Sequence, residues 1–298
     1  MSTTILITGG NGQLGADCRR VLQKKYRVHC LASGELDITD QQRVAACLAE
    51  IAPEVILNCA AYTRVDGCES DRETCLRVNG EGPRILAEAA EKAGARLLHI
   101  STDYVFDGSK DVPHPYDEED RVNPLSLYGE SKLRGEEAVR EILDNHLIIR
   151  TAWLYGMGGA NFLKTMLRLA VSDPRRTIRV VDDQYGSLTW TFELARQIKR
   201  LIDADITGTV HATADGYTTW YRGAAFFLEA MGIPHSLEPC TTEQYPTPTH
   251  RPANSILRNQ RLRQAGLDIM RSWQEQVDDF VHRHRRELLT EAGYHPET

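Results

Sequence analysis

From residue 4 to about residue 153 the chain alternates short apolar runs with helix-length amphipathic stretches, a rhythm that leaves few folds open. TILIT (4–8), RVHCLA (27–32), EVILNCA (54–60), RLLHIST (96–102) and HLIIRTAW (146–153) read as strands. GQLGADCRRVLQKK (12–25), DQQRVAACLAEIA (40–52), residues 71–94 and LYGESKLRGEEAVREIL (127–143) read as helices. Continuous apolar runs suit parallel strands buried on both faces, and their regular exchange with helices implies right-handed crossovers. The expected fold class is therefore α/β, a Rossmann-type doubly wound parallel sheet.

Past residue 150 the rhythm loosens. NFLKTMLRLA (161–170), TWTFELARQIKRLI (189–202), TTWYRGAAFFLEAMG (218–232) and SWQEQVDDFVHRHRRELL (272–289) are helical in pattern, and TIRVV (177–181) and GTVHATA (208–214) are strand-like. EPCTTEQYPTPTHRPANS (238–255), rich in proline and threonine, is expected to be an irregular loop. No linker separates the halves. The expected division is a dinucleotide-binding domain, 1–150 plus about 173–195, with 151–172 and 196–298 forming mainly a smaller, interleaved substrate domain.

Composition narrows the partners. With 41% hydrophobic residues, 26% charged and a net charge of −7 without a basic run, nucleic acid is not expected to bind. RHRR (283–286) reads as a solvated helix face. No apolar run approaches the roughly 20 residues that cross a bilayer, and MSTTILITGG is too short in apolar residues for a secretory segment. Seven cysteines without a C-x-x-C read as reduced thiols in a cytoplasmic protein.

GGNGQLG places glycines at 9, 12 and 15 between the first strand and the first helix. There, residues without a Cβ let the main chain turn sharply and approach a pyrophosphate, which the helix N-terminus attracts. A site that prefers NAD usually has an acid at the end of the second strand. Here CLASGE offers Ala32 and Ser33, so a 2′-phosphate meets no repulsion; NADPH is favoured and NADH stays open.

YGESK (128–132) sets Tyr128 and Lys132 one helical turn apart on one face. A neighbouring ammonium, together with the positive nicotinamide of an oxidised cofactor, is expected to lower the pKa of the phenol, ordinarily near 10. STDYVF (101–106) leaves the end of a strand, where such sheets bind ligands, so Thr102 is placed to donate to a substrate carbonyl.

These motifs resemble the extended short-chain dehydrogenase/reductase family, and within it the dTDP-4-dehydrorhamnose reductases. ITGGNGQLG, LDITD (36–40), NCAAYTRVDGCE (58–69), STDYVFDG (101–108), NPLSLYGESKLRGE (123–136), RTAWLYG (150–156), DDQYGSLT (182–189) and RPANSIL (251–257) follow that pattern in order. The resemblance implies reduction of the 4-keto group of dTDP-4-dehydro-β-L-rhamnose to dTDP-L-rhamnose, the last step in making that nucleotide sugar. It implies Thr102, Tyr128 and Lys132 as the catalytic group. Gly9, Gly12, Gln13, Leu14, Gly15, Asp37, Ile38, Ala60, Ala61, Tyr62 and Thr63 would line the dinucleotide groove with Tyr128 and Lys132. Asp103 and Trp153 match sugar-binding positions, although a tryptophan after a strand is by itself a core residue. Arg251 reads either as a clamp on the substrate diphosphate or as a surface ion pair.

Asn79 reads as a helix-interior residue bonding locally, and DEED (117–120) as a solvated loop. His99, His211, His282 and His284 have no metal-ligand spacing and read as structural or exposed. Some relatives carry a magnesium ion between subunits; Asp17 and Glu193 could match two of its ligands, but Arg283 falls near where a further acid is wanted. No metal ligand is assigned, Mg²⁺ stays open, and so does the choice of monomer or homodimer. Three other readings remain: a 6-deoxy-L-talose-forming ketoreductase, an epimerase or dehydratase on the same triad, and a regulatory subunit like that of methionine adenosyltransferase. Tyr104, where a dehydratase needs Glu, weighs against dehydration.

Overall fold

The computed structural model describes residues 2–294, so the last four residues of the expected substrate domain lie outside them. The apolar runs become strands β1 (Thr4–Thr8), β2 (Arg27–Leu31), β3 (Val55–Asn58), β4 (Arg96–Thr102) and β5 (His146–Thr151). With Gly208–His211 they form one six-stranded sheet in the order Gly208–His211, β5, β4, β3, β1, β2. Every pairing in it is parallel.

Ile5, Leu6 and Ile7 are wholly buried because successive side chains enter different layers. Ile5 and Ile7 pack with Leu14, Cys18 and Leu22 of helix α1 (Gln13–Leu22), and with Leu194 and Ile198 of the helix Thr191–Ile202. Leu6 packs on the opposite face, with Val44 and Leu48 of α2 (Gln41–Ile51) and with Ile85 and Leu86 further along. The doubly wound sheet expected from the alternation is thus present.

The stretch 71–94 is not one regular helix. After α3 (Val65–Ser70) come α4 (Arg72–Leu76), a wide π-turn over Arg77–Glu81, and α5 (Gly82–Ala93). Helix α6 (Leu127–Ile142) begins at Ser126, whose hydroxyl accepts from the Gly129 N–H at 3.2 Å.

A second core joins Leu163, Leu167, Phe227, Val277 and Phe280 from the later helices with Trp190 of the short strand Thr189–Trp190. The last of these helices, Trp273–Glu291, starts in a capping box of Ser272 and Glu275. Several segments lie elsewhere than chain order suggested. Gly208–His211, expected in the substrate half, is an edge of the main sheet, and the helix Thr191–Ile202 packs against α1. Conversely, Thr177–Val181 leaves the dinucleotide half and pairs in parallel with Ser236–Cys240. The latter strand also overlaps the start of the stretch expected to be irregular; as an edge strand it tolerates Pro239.

The acidic run 117–120 is a loop with Glu119 exposed, but it is not solvated throughout. Asp117 pairs with Arg258 and Asp120 with Lys110. Glu118 is buried and accepts from the His211 N–H at 3.0 Å. Among the described residues no helix is long and apolar enough to cross a membrane.

Candidate active site

A cleft of about 620 Å³ opens past the carboxyl ends of the strands, where the sheet order reverses between β1 and β3. The glycine turn forms one wall. A Cβ on Gly15 would lie 2.4 Å from the Gly9 carbonyl oxygen, so only glycine lets α1 begin this close to the strand end. Gly12, the residue before α1, provides no side-chain cap, which leaves the first-turn N–H groups of the helix for a ligand. An anionic pyrophosphate fits that cradle in charge and in space.

Every residue assigned from the sequence to catalysis, cofactor or substrate lines this cleft except Tyr62. The Tyr62 ring packs instead with Cys68, Cys75 and Leu127, beneath the Arg64 guanidinium at 5.1 Å. Its backbone explains the placement: the Tyr62 N–H donates to Asn79 Oδ1 at 2.8 Å, and its carbonyl accepts from Asn79 Nδ2 at 3.1 Å. Asn79 keeps one local contact, to Cys75 Sγ at 3.7 Å, but its other partners are not local. From the π-turn it reaches across to pin the β3 loop, and also donates to Ser131 Oγ of α6 at 3.0 Å.

Tyr128 and Lys132 project from the first two turns of α6, with the Tyr104 ring edge-on to Tyr128 at 5.5 Å. The lysine by itself does not acidify the phenol. Burial pushes the Tyr128 phenol well above its ordinary value, and the Asp103 carboxylate adds to this. Burial pulls Lys132 down to about 8, with Glu136 opposing. At neutral pH the tyrosine therefore holds its proton.

Thr102 sits at the end of β4, where its hydroxyl donates to Asp103 Oδ1 at 2.9 Å and accepts from the Tyr104 N–H at 3.2 Å. Its proton is thus directed at Asp103 and not at the open cleft. Burial raises the Asp103 carboxyl to about 6, and its second oxygen makes no hydrogen bond.

Trp153 is neither simply core nor free. Its backbone is left-handed, with φ of 48°, which a tryptophan seldom adopts. The ring stacks on Trp220, centroids 3.5 Å apart, and a Cβ at residue 186 would fall 2.4 Å from it, so Gly186 makes room for the ring. Trp220 and Asn161 also line the cleft and went unnoticed in the sequence. Nothing in the sequence around Trp220 signals it, whereas Asn161 opens a helix and so reads as a cap.

Arg251 lines the cleft and pairs with Asp66 at 3.0 Å, the ion pair that is one of its two readings. Asp17 accepts from the Thr191 hydroxyl at 2.6 Å, Glu193 is held by Arg196 and Arg271, and Arg283 lies over the Trp190 ring. Among the described residues no three His, Cys, Asp or Glu gather in a metal-binding group.

The family model described as the RmlD substrate binding domain matches residues 3–286. The chain belongs to this family. Among RmlD-family relatives, a dTDP-4-dehydrorhamnose reductase of Streptomyces griseus is 43% identical, covering 90% of each chain. The spore coat polysaccharide biosynthesis protein SpsK of Bacillus subtilis is 38% identical over 94% of this chain and 97% of its own. A solved dTDP-4-dehydrorhamnose reductase of Bacillus anthracis, in complex with NADP, superposes with a TM-score of 0.92 at 38% identity, covering 95% and 100% of the two chains.

Proposed function

We propose that this chain is an NADPH-dependent oxidoreductase that reduces the 4-keto group of dTDP-4-dehydro-β-L-rhamnose to dTDP-L-rhamnose. One observation carries the reading: in a chain of this family, Thr102, Tyr128 and Lys132 share one cleft with the uncapped start of α1. NADPH, when bound, supplies the hydride. The first turn of α1 holds its pyrophosphate, while Ser33, at the end of β2, leaves room for a 2′-phosphate. The next acid along the chain, Glu35, accepts from the Ala32 N–H at 2.8 Å.

The protein's own work is to hold a ketone and supply a proton. As negative charge grows on the carbonyl oxygen, Thr102 rotates its hydroxyl from Asp103 to that oxygen, and the Tyr128 phenol gives up its proton to it. A phenol held well above its ordinary pKa stays loaded at neutral pH, yet an alkoxide is more basic still, so the transfer runs downhill. The stacked pair Trp153 and Trp220 offers apolar surface to the sugar, and Arg251 a planar fork to its diphosphate.

The protein is expected to work in the cytoplasm, as a monomer or homodimer, with a nucleotide sugar as its partner. The decisive assay follows NADPH oxidation with dTDP-4-dehydro-L-rhamnose, then identifies the product. Formation of dTDP-L-rhamnose is expected; absence of NADPH oxidation would overturn the reading, and a 6-deoxy-L-talose product would correct its stereochemistry.

A further inference from the structure

Behind Lys132 lies a buried row of polar side chains that the proposed chemistry leaves unused: Thr8, Asn58 and His99, each with no exposed surface. Its hydrogen bonds have one possible direction. The Ala60 backbone N–H can only donate, and it meets Asn58 Oδ1 at 3.1 Å, so that atom is the oxygen. The Thr8 hydroxyl donates to the same oxygen at 2.7 Å. The Asn58 Nδ2 must then donate to His99 Nδ1, 3.0 Å away. A buried, neutral imidazole that accepts at Nδ1 carries its hydrogen on Nε2. That Nε2–H faces Lys132 Nζ at 3.4 Å.

An ammonium has three donors and no lone pair, so a protonated Lys132 meets another donor there. The geometry agrees: Lys132 Nζ stands at 2.7 Å from the Ile100 carbonyl, a good acceptor, but hangs back from the imidazole. A neutral amine would resolve the mismatch by accepting the Nε2–H. We propose that His99 is a positioning residue, locked by Asn58 in the Nε2–H tautomer, that biases the Lys132 amine toward its neutral form. Burial acts in the same sense on both groups: it lowers His99, which keeps the imidazole neutral, and lowers Lys132.

The other groups facing Lys132 are Glu136 on its own helix, Cys59 after β3 and Cys75 on α4, all of which favour the ammonium. Glu136 is already paired with Arg150 at 2.7 Å, which blunts its pull. The lysine therefore becomes a group able to take up and release a proton near neutral pH, next to a tyrosine that must be reprotonated after each turnover.

The test uses the full chain with ¹⁵N-histidine and ¹³C-lysine labels, read by NMR, and needs no substrate. His99 is expected as the Nε2–H tautomer at pH 7. Asn58→Asp is expected to take the Nδ1–H onto its carboxylate, turn Nε2 into an acceptor, and raise the Lys132 titration by at least about one pH unit. His99→Gln, which can offer an acceptor oxygen, is expected to move it the same way. A wild-type Nδ1–H tautomer would overturn the proposal even if the variants failed to fold, as would an unmoved Lys132 titration in a folded Asn58→Asp. A further readout, the alkaline limb of the pH–rate profile, rests on the reductase reading and is expected to shift with the lysine. Were the chain inactive, the spectra would still decide the matter.

Discussion

Asp103→Asn is expected to make the protein more stable and less active, and the size of the gain follows from one buried carboxyl. Burial moves Asp103 from 3.8 to about 6. A folded-state value above the unfolded one means that the folded chain binds more protons between pH 4 and 6, so stability falls as pH rises through that window. Above pH 6 the penalty is complete, and the displacement corresponds to about 3 kcal/mol. Asparagine keeps the oxygen that accepts from Thr102 and carries no charge, while its amide replaces an oxygen that now makes no hydrogen bond. Thermal melts of both proteins from pH 4 to pH 8 are expected to coincide near pH 4 and separate with rising pH. Near pH 7.5 the variant should melt higher by up to about 5 °C for a chain of this size. Turnover is expected to fall, because the carboxylate is, after burial, the largest of the influences that keep Tyr128 protonated. A stability gap that is the same at pH 4 and pH 8, or no gap at all, would refute the reasoning, since only the ionised carboxyl carries the penalty.

Tyr128→Phe removes the proposed proton donor while leaving the glycine turn intact, so NADPH oxidation should drop by about 10²-fold or more with cofactor affinity, read by fluorescence titration, little changed. Gly186→Ala drives a methyl into the Trp153 ring, which a Cβ would approach to 2.4 Å; steady-state kinetics should show a higher KM for the sugar nucleotide and an unaltered KM for NADPH. Asn79→Leu deletes two hydrogen bonds to the Tyr62 backbone and one to Ser131. It should destabilise the fold by about 2 kcal/mol in urea, because the Tyr62 backbone groups and the buried Ser131 hydroxyl lose these partners.

The parts of this molecule legible in its sequence are those that local chemistry alone decides. β1 must be apolar on both faces, and the turn after it must lack side chains, so TILITGGNGQLG reveals a buried strand and a phosphate-sized cradle without knowledge of the rest of the chain. Tyr128 and Lys132 are likewise visible because the helical repeat itself brings them to one face. What escaped depends on partners far away in the chain. Thr177–Val181 reads as a strand anywhere, but only Ser236–Cys240, some sixty residues later, determines which sheet it joins. Glu118 looks solvated among its acidic neighbours until the His211 N–H meets it.

The same distinction explains the one chemical expectation that reversed. Spacing places an ammonium near a phenol, and proximity alone predicts a more acidic tyrosine. Spacing carries no information about solvent. In the folded chain both groups are buried, and desolvation opposes whichever form is charged, phenolate as much as ammonium. For a reduction this is the useful sign, since the tyrosine must arrive at the reaction with its proton. The lysine, pressed toward neutrality by burial and facing an imidazole donor, then resembles less a fixed charge that acidifies its neighbour than a second proton store beside it.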